Sequence, residues 1–246
     1  MKPRIGVFDF ASCEGCELQI VNLEEDVVGL VSAVDVVSFR EAMKEHSDEY
    51  DIALVEGSIT RQSDEARLKK IRENAKIVIA LGACATIGGI NALKNLHNLD
   101  EVKRIVYGDK ADWFETYPTR PIDAVVPVDY YVHGCPIDRG ELLSVLKALL
   151  LGKEPEIPNY PVCVECKLAE NQCVFEKGMF CLGPVTRAGC KARCPSHGNA
   201  CVGCRGLVDN PNKESEREVL EKYGLTVNDI LAKFTLFGTY QEVTGK

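Results

Sequence analysis

Arg4-Ile5-Gly6-Val7-Phe8-Asp9-Phe10-Ala11-Ser12-Cys13-Glu14-Gly15-Cys16 opens as a short apolar run and closes in a Cys-x2-Cys turn. A run that is apolar at nearly every position reads as a strand buried on both faces, since a half-exposed strand would alternate. Leu18 to Val31 then carries Leu18, Val21, Val27, Val28, Leu30 and Val31 at helical spacing, which predicts a helix starting just after Cys16. The alternation repeats. Strands are expected at Val34 to Phe39, Asp51 to Glu56, Ile77 to Leu81 and Ala124 to Val128, and helices at Asp64 to Asn74 and Glu141 to Leu151. Short apolar runs alternating with helices specify a parallel α/β sheet of the doubly wound type.

Ligands of such sheets sit beyond the carboxyl ends of the strands. Cys13 and Cys16 follow the first strand, Cys84 follows Ile77 to Leu81, and Cys135 follows Ala124 to Val128, so all four fall on one edge and can surround one metal cluster. Gly15, Gly82 and Gly134 lie beside or near them, where a missing Cβ lets backbone N–H groups approach sulfur. A helix amino terminus there would favour an anionic group. Taken alone, the four cysteines fit buried thiols or a redox pair as well as a metal site. Gly82-Ala83-Cys84-Ala85-Thr86-Ile87-Gly88-Gly89 lacks the Lys-Ser/Thr ending of a phosphate loop, and no G-x-G-x-x-G follows the first strand, which argues against a nucleotide site. Asn91 to Arg120, with Trp113, Phe114 and Tyr117, reads as an insertion. His46 and His97 read as solvated, and His133 as a residue that shapes its loop.

Gly152-Lys153-Glu154-Pro155-Glu156-Ile157-Pro158-Asn159-Tyr160-Pro161 is a proline-rich boundary. Beyond it, eight of the twelve cysteines crowd into Cys163 to Cys204 as C-x2-C-x6-C-x7-C and C-x3-C-P-x5-C-x2-C. One zinc or one iron–sulfur cubane takes four thiolates, so Cys163, Cys166, Cys173 and Cys181 suffice for one centre and Cys190, Cys194, Cys201 and Cys204 for another. No sustained apolar period runs through the segment, so metal binding must supply stability that burial does not. Two Cys-x2-Cys pairs suit zinc, whereas Cys194-Pro195 and the isolated thiols suit iron–sulfur clusters. His197 reads as a loop residue. Helices are expected at Glu214 to Tyr223 and Thr226 to Phe234, with Leu225, Val227, Ile230, Leu231 and Phe234 as an apolar face that packs on its own domain or covers clusters or a partner.

A net charge of −8 without a Lys/Arg block excludes nucleic acid and anionic membrane as natural partners. No apolar run reaches the ~18 residues of a membrane span, and Met1-Lys2-Pro3-Arg4-Ile5 enters the first strand without an h-region or twin-arginine leader. The expected location is therefore the cytoplasm, where thiols stay reduced and an even cysteine count points to metal more than to disulfides.

With Cys13-Glu14-Gly15-Cys16, Gly82-Ala83-Cys84-Ala85, Gly134-Cys135-Pro136 and the eight later cysteines in place, the chain resembles the small subunit of [NiFe]-hydrogenases. The likeness is to the cytoplasmic bidirectional group that includes sulfhydrogenase delta subunits. The resemblance implies that Cys13, Cys16, Cys84 and Cys135 hold a proximal cluster, Cys163, Cys166, Cys173 and Cys181 a distal one, and Cys190, Cys194, Cys201 and Cys204 a medial one. Periplasmic relatives have histidine at the first distal position and proline at the second medial one; Cys163 and Cys194 stand there here, implying three [4Fe-4S] clusters. The architecture expected is a flavodoxin-like sheet domain over residues 1–151 and a smaller, mostly irregular iron–sulfur domain over 152–246. The implied role is electron transfer with no catalytic side chain, between a large subunit holding the nickel–iron site and flavin- and iron–sulfur-containing diaphorase-type subunits that reduce NAD(P) or polysulfide. Glu17 would tune the proximal cluster, contact a proton path, or sit solvated at the helix start. The competing expectations are a zinc-stabilised scaffold and the one-cluster subunit of a complex-I-like quinone reductase; the latter would have adjacent cysteines in place of Cys-x2-Cys and lack the second domain.

Overall fold

In the computed structural model, which describes residues 2–24 and 26–245 and only the backbone of Val27, five strands form one parallel sheet. These are β1 (Arg4–Asp9), β2 (Asp35–Phe39), β3 (Ile52–Glu56), β4 (Ile77–Leu81) and β5 (Tyr130–Val132), in the order β2-β1-β3-β4-β5. That order reverses the winding direction between β1 and β3, which opens a crevice at the carboxyl edge. The helices of this part are α1 (Gly15–Val21), α2 (Asp26–Ala33), α3 (Gln62–Asn74), α4 (Gly82–Ile87), α5 (Leu99–Tyr107) and α6 (Arg139–Leu150).

The two-residue period of the strands divides the core into two layers. Ile5, Val7, Ile52, Leu54, Ile79 and Leu81 face one way, where they meet Ile20 of α1 and Leu142, Val145 and Leu146 of α6. Ala53, Val55, Val78 and Ala80 face the other way, against Leu68 and Ile71 of α3. Each of the valine, leucine and isoleucine side chains contributes about 1.5–3 kcal/mol on burial, so the sheet is anchored from both sides. The register aligns Asp9 with Glu56 and Glu56 with Leu81. The residues that end β1, β3 and β4 therefore form one row on the edge where the first cysteines emerge.

Three expectations are corrected. The helix expected from Leu18 to Val31 is two helices, and the first starts at Gly15, so Cys16 lies inside its first turn. Ile20 and Leu23 are the buried residues there, while Leu18, Val21, Val28 and Val31 are exposed, Val28 at 68%; of the expected stripe these four point outward, and Leu30 packs, partly buried, against the core. The stripe's sixth member, Val27, has a side chain outside the described part. Ala124 to Val128 is not a strand: a 3-10 turn spans Ile122–Ala124 and the strand follows at Tyr130–Val132. Pro127 has no N–H for a ladder, and the turn packs Ile122 and Val126 into the core instead. Asp129 leads into β5, its side chain accepting from the Val78 N–H (2.7 Å) and its N–H donating to the Val78 carbonyl (3.0 Å).

After the proline-rich stretch come α7 (Val162–Leu168), α8 (Arg193–Ser196), α9 (Lys213–Lys222) and α10 (Val227–Thr244). Val162, Val174 and Ala192 form a small core that includes Cys181 and Cys201 themselves. α10 starts at a capping box, Thr226 with Asp229, and continues past the expected end at Phe234. Thr235 and Thr239 would weaken a helical pattern, but their hydroxyls donate to the carbonyls of Leu231 (2.9 Å) and Thr235 (2.5 Å) within the helix. The expected apolar face divides: Leu225 and Ile230 are buried with Leu182 and Leu220, while Val227 and Leu231 are exposed. Phe237, further along, packs on Ala83 and Ile87 of α4. α10 thus returns to cover the helix that carries Cys84.

Candidate metal centres

All twelve cysteines are free thiols, so disulfides play no part in the arrangement. Cys13, Cys16, Cys84 and Cys135 gather at the carboxyl edge of the sheet, as the strand order requires. Cys13 and Cys135 are exposed, Cys84 is half-buried and Cys16 is buried. The Cys13–Cys16 loop is shaped by Glu14 in the left-handed region, its N–H bonded to Ser12 Oγ (3.2 Å). Glu56, at the end of β3, fastens the loop to the sheet: its Oε1 accepts from the Cys16 N–H (3.1 Å) and its Oε2 from the Glu17 N–H (2.7 Å). A carboxylate at these first-turn amides satisfies donors that a helix start leaves unpaired.

The thiols feel one another. Burial, then the neighbouring charges of Cys135 and Cys13, pushes Cys84 up to about 12. Cys16 is raised by burial and then by Glu56, and Cys135 by burial and then by Cys13. Four thiolates in this space would repel one another without cations, whereas metal binding requires and stabilises the thiolate form. Gly82, at φ +80°, makes the closest approach: a Cβ there would lie 2.3 Å from Cys16 Sγ. Glu17 corrects its solvated reading. It is 1% exposed, and burial followed by the charges of Glu56 and Asp9 pushes its carboxyl up to about 8.

In the later segment, Cys163 is pushed up to about 12 by burial and then by Cys181, Cys166 and Cys173. A Cβ on Gly183 would lie 3.3 Å from both Cys163 Sγ and Cys181 Sγ, so this glycine keeps open the space between them. Cys181 Sγ accepts from the N–H groups of Gly183 (3.4 Å) and Cys201 (3.3 Å). Cys204 is half-buried and is pushed up to about 11 by burial and then by the charges of Cys190, Cys194 and Cys135. Cys201 is raised by burial, then by Cys181 and Cys204. Among the described residues, no three His, Cys, Asp or Glu side chains form a ready site for a single metal ion. The glycine cradles and amide donors at sulfur suit an anionic, sulfur-ligated cluster.

The histidines are peripheral to the thiols' chemistry. His46 and His97 are exposed, and His197 Nδ1 pairs with the Arg193 carbonyl (2.8 Å). His133 stacks on Tyr131 and is driven down to about 3 by burial, then by Arg187 and Arg205. Sequence reasoning missed two carboxylates. Glu56 ends an otherwise apolar strand, the signal by which it could have been found. Glu165, between Cys163 and Cys166, reaches across to accept from the Gly189 (2.9 Å) and Ala192 (3.2 Å) N–H groups that flank Cys190. Among the described residues, no helix is long and apolar enough to cross a membrane.

Comparison with known proteins gives a consistent set of likenesses. The family described as NADH ubiquinone oxidoreductase, 20 Kd subunit, matches residues 13–149. The delta subunit of sulfhydrogenase 2 from Pyrococcus furiosus is 37% identical over 96% of this chain and 100% of its own length. A subunit of the F420-non-reducing hydrogenase vhu from Methanococcus voltae is 34% identical, over 85% of this chain and 83% of its own. Among solved structures, a chain of an NAD+-reducing [NiFe]-hydrogenase in the H2-reduced state superposes with a TM-score of 0.60 at 28% identity, covering 64% of this chain and 96% of that one.

Proposed function

The chain belongs to the small-subunit family of [NiFe]-hydrogenases, within the wider 20 Kd NADH ubiquinone oxidoreductase subunit family, and from that premise we propose that it is an electron relay built on three [4Fe-4S] clusters. Cys13, Cys16, Cys84 and Cys135 would hold the first, Cys190, Cys194, Cys201 and Cys204 the second, and Cys163, Cys166, Cys173 and Cys181 the third. When bound, such clusters supply one-electron transfer, and the protein tunes them through burial, charge and hydrogen bonds to sulfur. The observation that carries the reading is Arg205, next to Cys204, donating to the His133 carbonyl two residues before Cys135, which draws the sheet-edge quartet's last loop against the next quartet.

The chain's residues do the holding. Glu56 fixes the Cys13–Cys16 loop, Glu165 fixes the Cys190 loop, and α10 shields the Cys84 helix. Exposed Cys13 and Cys135 mark the side that a large subunit with the nickel–iron site would cover. At the far end, the partner would be a flavin- and iron–sulfur-containing diaphorase-type subunit, with NAD(P) or polysulfide as acceptor; one relative is named a sulfhydrogenase subunit and a structural neighbour NAD+-reducing. The cytoplasm and a division into units at 1–151 and 152–246 belong to the same reading. The eight later cysteines lie beyond the 13–149 match, which favours the hydrogenase role over a one-cluster quinone reductase subunit.

Cys84→Ala tests it. In the enzyme assembled and isolated without oxygen, the variant should lose hydrogen-dependent dye reduction while the partner subunits still co-purify. Undiminished activity would contradict the first cluster's placement.

A further inference from the structure

Arg205 follows Cys204 directly and is 1% exposed. Its guanidinium has three partners on three separate segments. Nε donates to the Ala188 carbonyl (2.7 Å), Nη2 to Glu141 Oε1 (2.7 Å), and Nη1 to the His133 carbonyl. Ala188 stands two residues before Cys190, and His133 two before Cys135. One side chain therefore joins the loops of Cys135, Cys190 and Cys204.

The surroundings are made for it. Gly189 lies at φ +115°, and a Cβ there would fall 2.2 Å from Nη2, so the guanidinium occupies a position that only glycine leaves open. The Glu141 side chain is 7% exposed, and its Oε2 has no hydrogen-bond partner among the described residues. Asp138 and Glu165 also direct negative charge at Glu141, with Lys191 against Asp138 (3.8 Å). A buried ion pair gives little net stability over an apolar replacement, so fold stability alone does not account for a full charge here. That charge acts on Cys190.

We propose that Arg205 is a positioning residue between the first two clusters: it fixes the spacing of their ligand loops, and its charge, opposed by Glu141, raises the reduction potential of the cluster on Cys190, Cys194, Cys201 and Cys204. One-electron reduction adds one negative charge to that cluster. A guanidinium fixed beside it stabilises the reduced form, and the Glu141 carboxylate opposes this. The inference rests on the cluster reading above.

The test is an EPR-monitored potentiometric titration of the complex isolated without oxygen, comparing wild type with Arg205→Met, Arg205→Lys and Glu141→Gln. Arg205→Met should lower the midpoint of this one cluster. The expected size is on the order of tenfold in its reduced-to-oxidised ratio at fixed potential, or about 59 mV for one electron. Arg205→Lys should lower it less, and Glu141→Gln should raise it. A role confined to folding would not produce shifts of opposite sign. If Arg205→Met does not assemble, Glu141→Gln and Arg205→Lys decide by the same signs. Intact clusters with unmoved midpoints overturn this inference and leave the relay reading standing; a wild-type complex without cubane signals removes both.

Discussion

Gly82 shows how one missing atom sets the edge of the site. Its φ of +80° and the 2.3 Å separation of a Cβ from Cys16 Sγ mean that Gly82→Ala must both strain the backbone and displace the Cys16 thiol. The strain alone costs about 1–3 kcal/mol. The variant should lose about four of its iron atoms, and iron analysis of the purified complex checks this. Glu216 gives a pH prediction. It is buried on α9, and burial pushes its carboxyl up to about 7 from an ordinary value of 4.5. A carboxyl raised on folding contributes stability that is complete below its unfolded value and is lost as pH rises through its folded value. Wild-type stability should thus fall between pH 4.5 and about 7, by up to ~3 kcal/mol from this group. Glu216→Gln should flatten that fall, as read by thermal unfolding at about pH 6 and about pH 8; an unchanged slope would show that Glu216 is not its source.

At the scale of elements, α10 runs well past the end that sequence patterning gave it, and the packing uses the added turns. Phe237 sits under α4 with Ala83 and Ile87, so Phe237→Ala should destabilise the chain by about 3–5 kcal/mol and loosen Cys84, to be measured by denaturant unfolding. A loss under about 1 kcal/mol would mean that α10 does not anchor there. The strands β1, β3 and β4 were legible because parallel strands covered on both faces are apolar almost throughout. The Leu18 to Val31 stripe misled because Leu18, Val21, Val28 and Val31 are exposed, on a surface that periodicity alone cannot distinguish from a core face. Ala124 to Val128 misled because a buried apolar run looks the same in a turn as in a strand, and only Pro127 argued otherwise. Cys13, Cys16, Cys84 and Cys135 could be placed on one edge from strand order alone. Glu56 and Arg205 could not be paired with their partners, since those contacts join residues 39 to 72 positions apart.

Considered whole, the molecule is a sheet whose carboxyl edge continues into a segment with thiols in its own core. Cys181 and Cys201 lie among Val162, Val174 and Ala192, so that segment is expected to take its stability from the metal it binds. The route by which the halves meet is polar as well as apolar: Arg205 with Glu141 and His133 on one side, α10 on α4 on the other. Both contacts lie beside cysteines, which ties the geometry of the proposed relay to the packing of the chain. The measurement that bears most directly on a three-cluster relay is the iron and acid-labile sulfide content of the chain, isolated anaerobically with its partners and corrected for what those partners carry. About twelve of each per chain are expected, whereas zinc without sulfide, or about four of each, would contradict the relay.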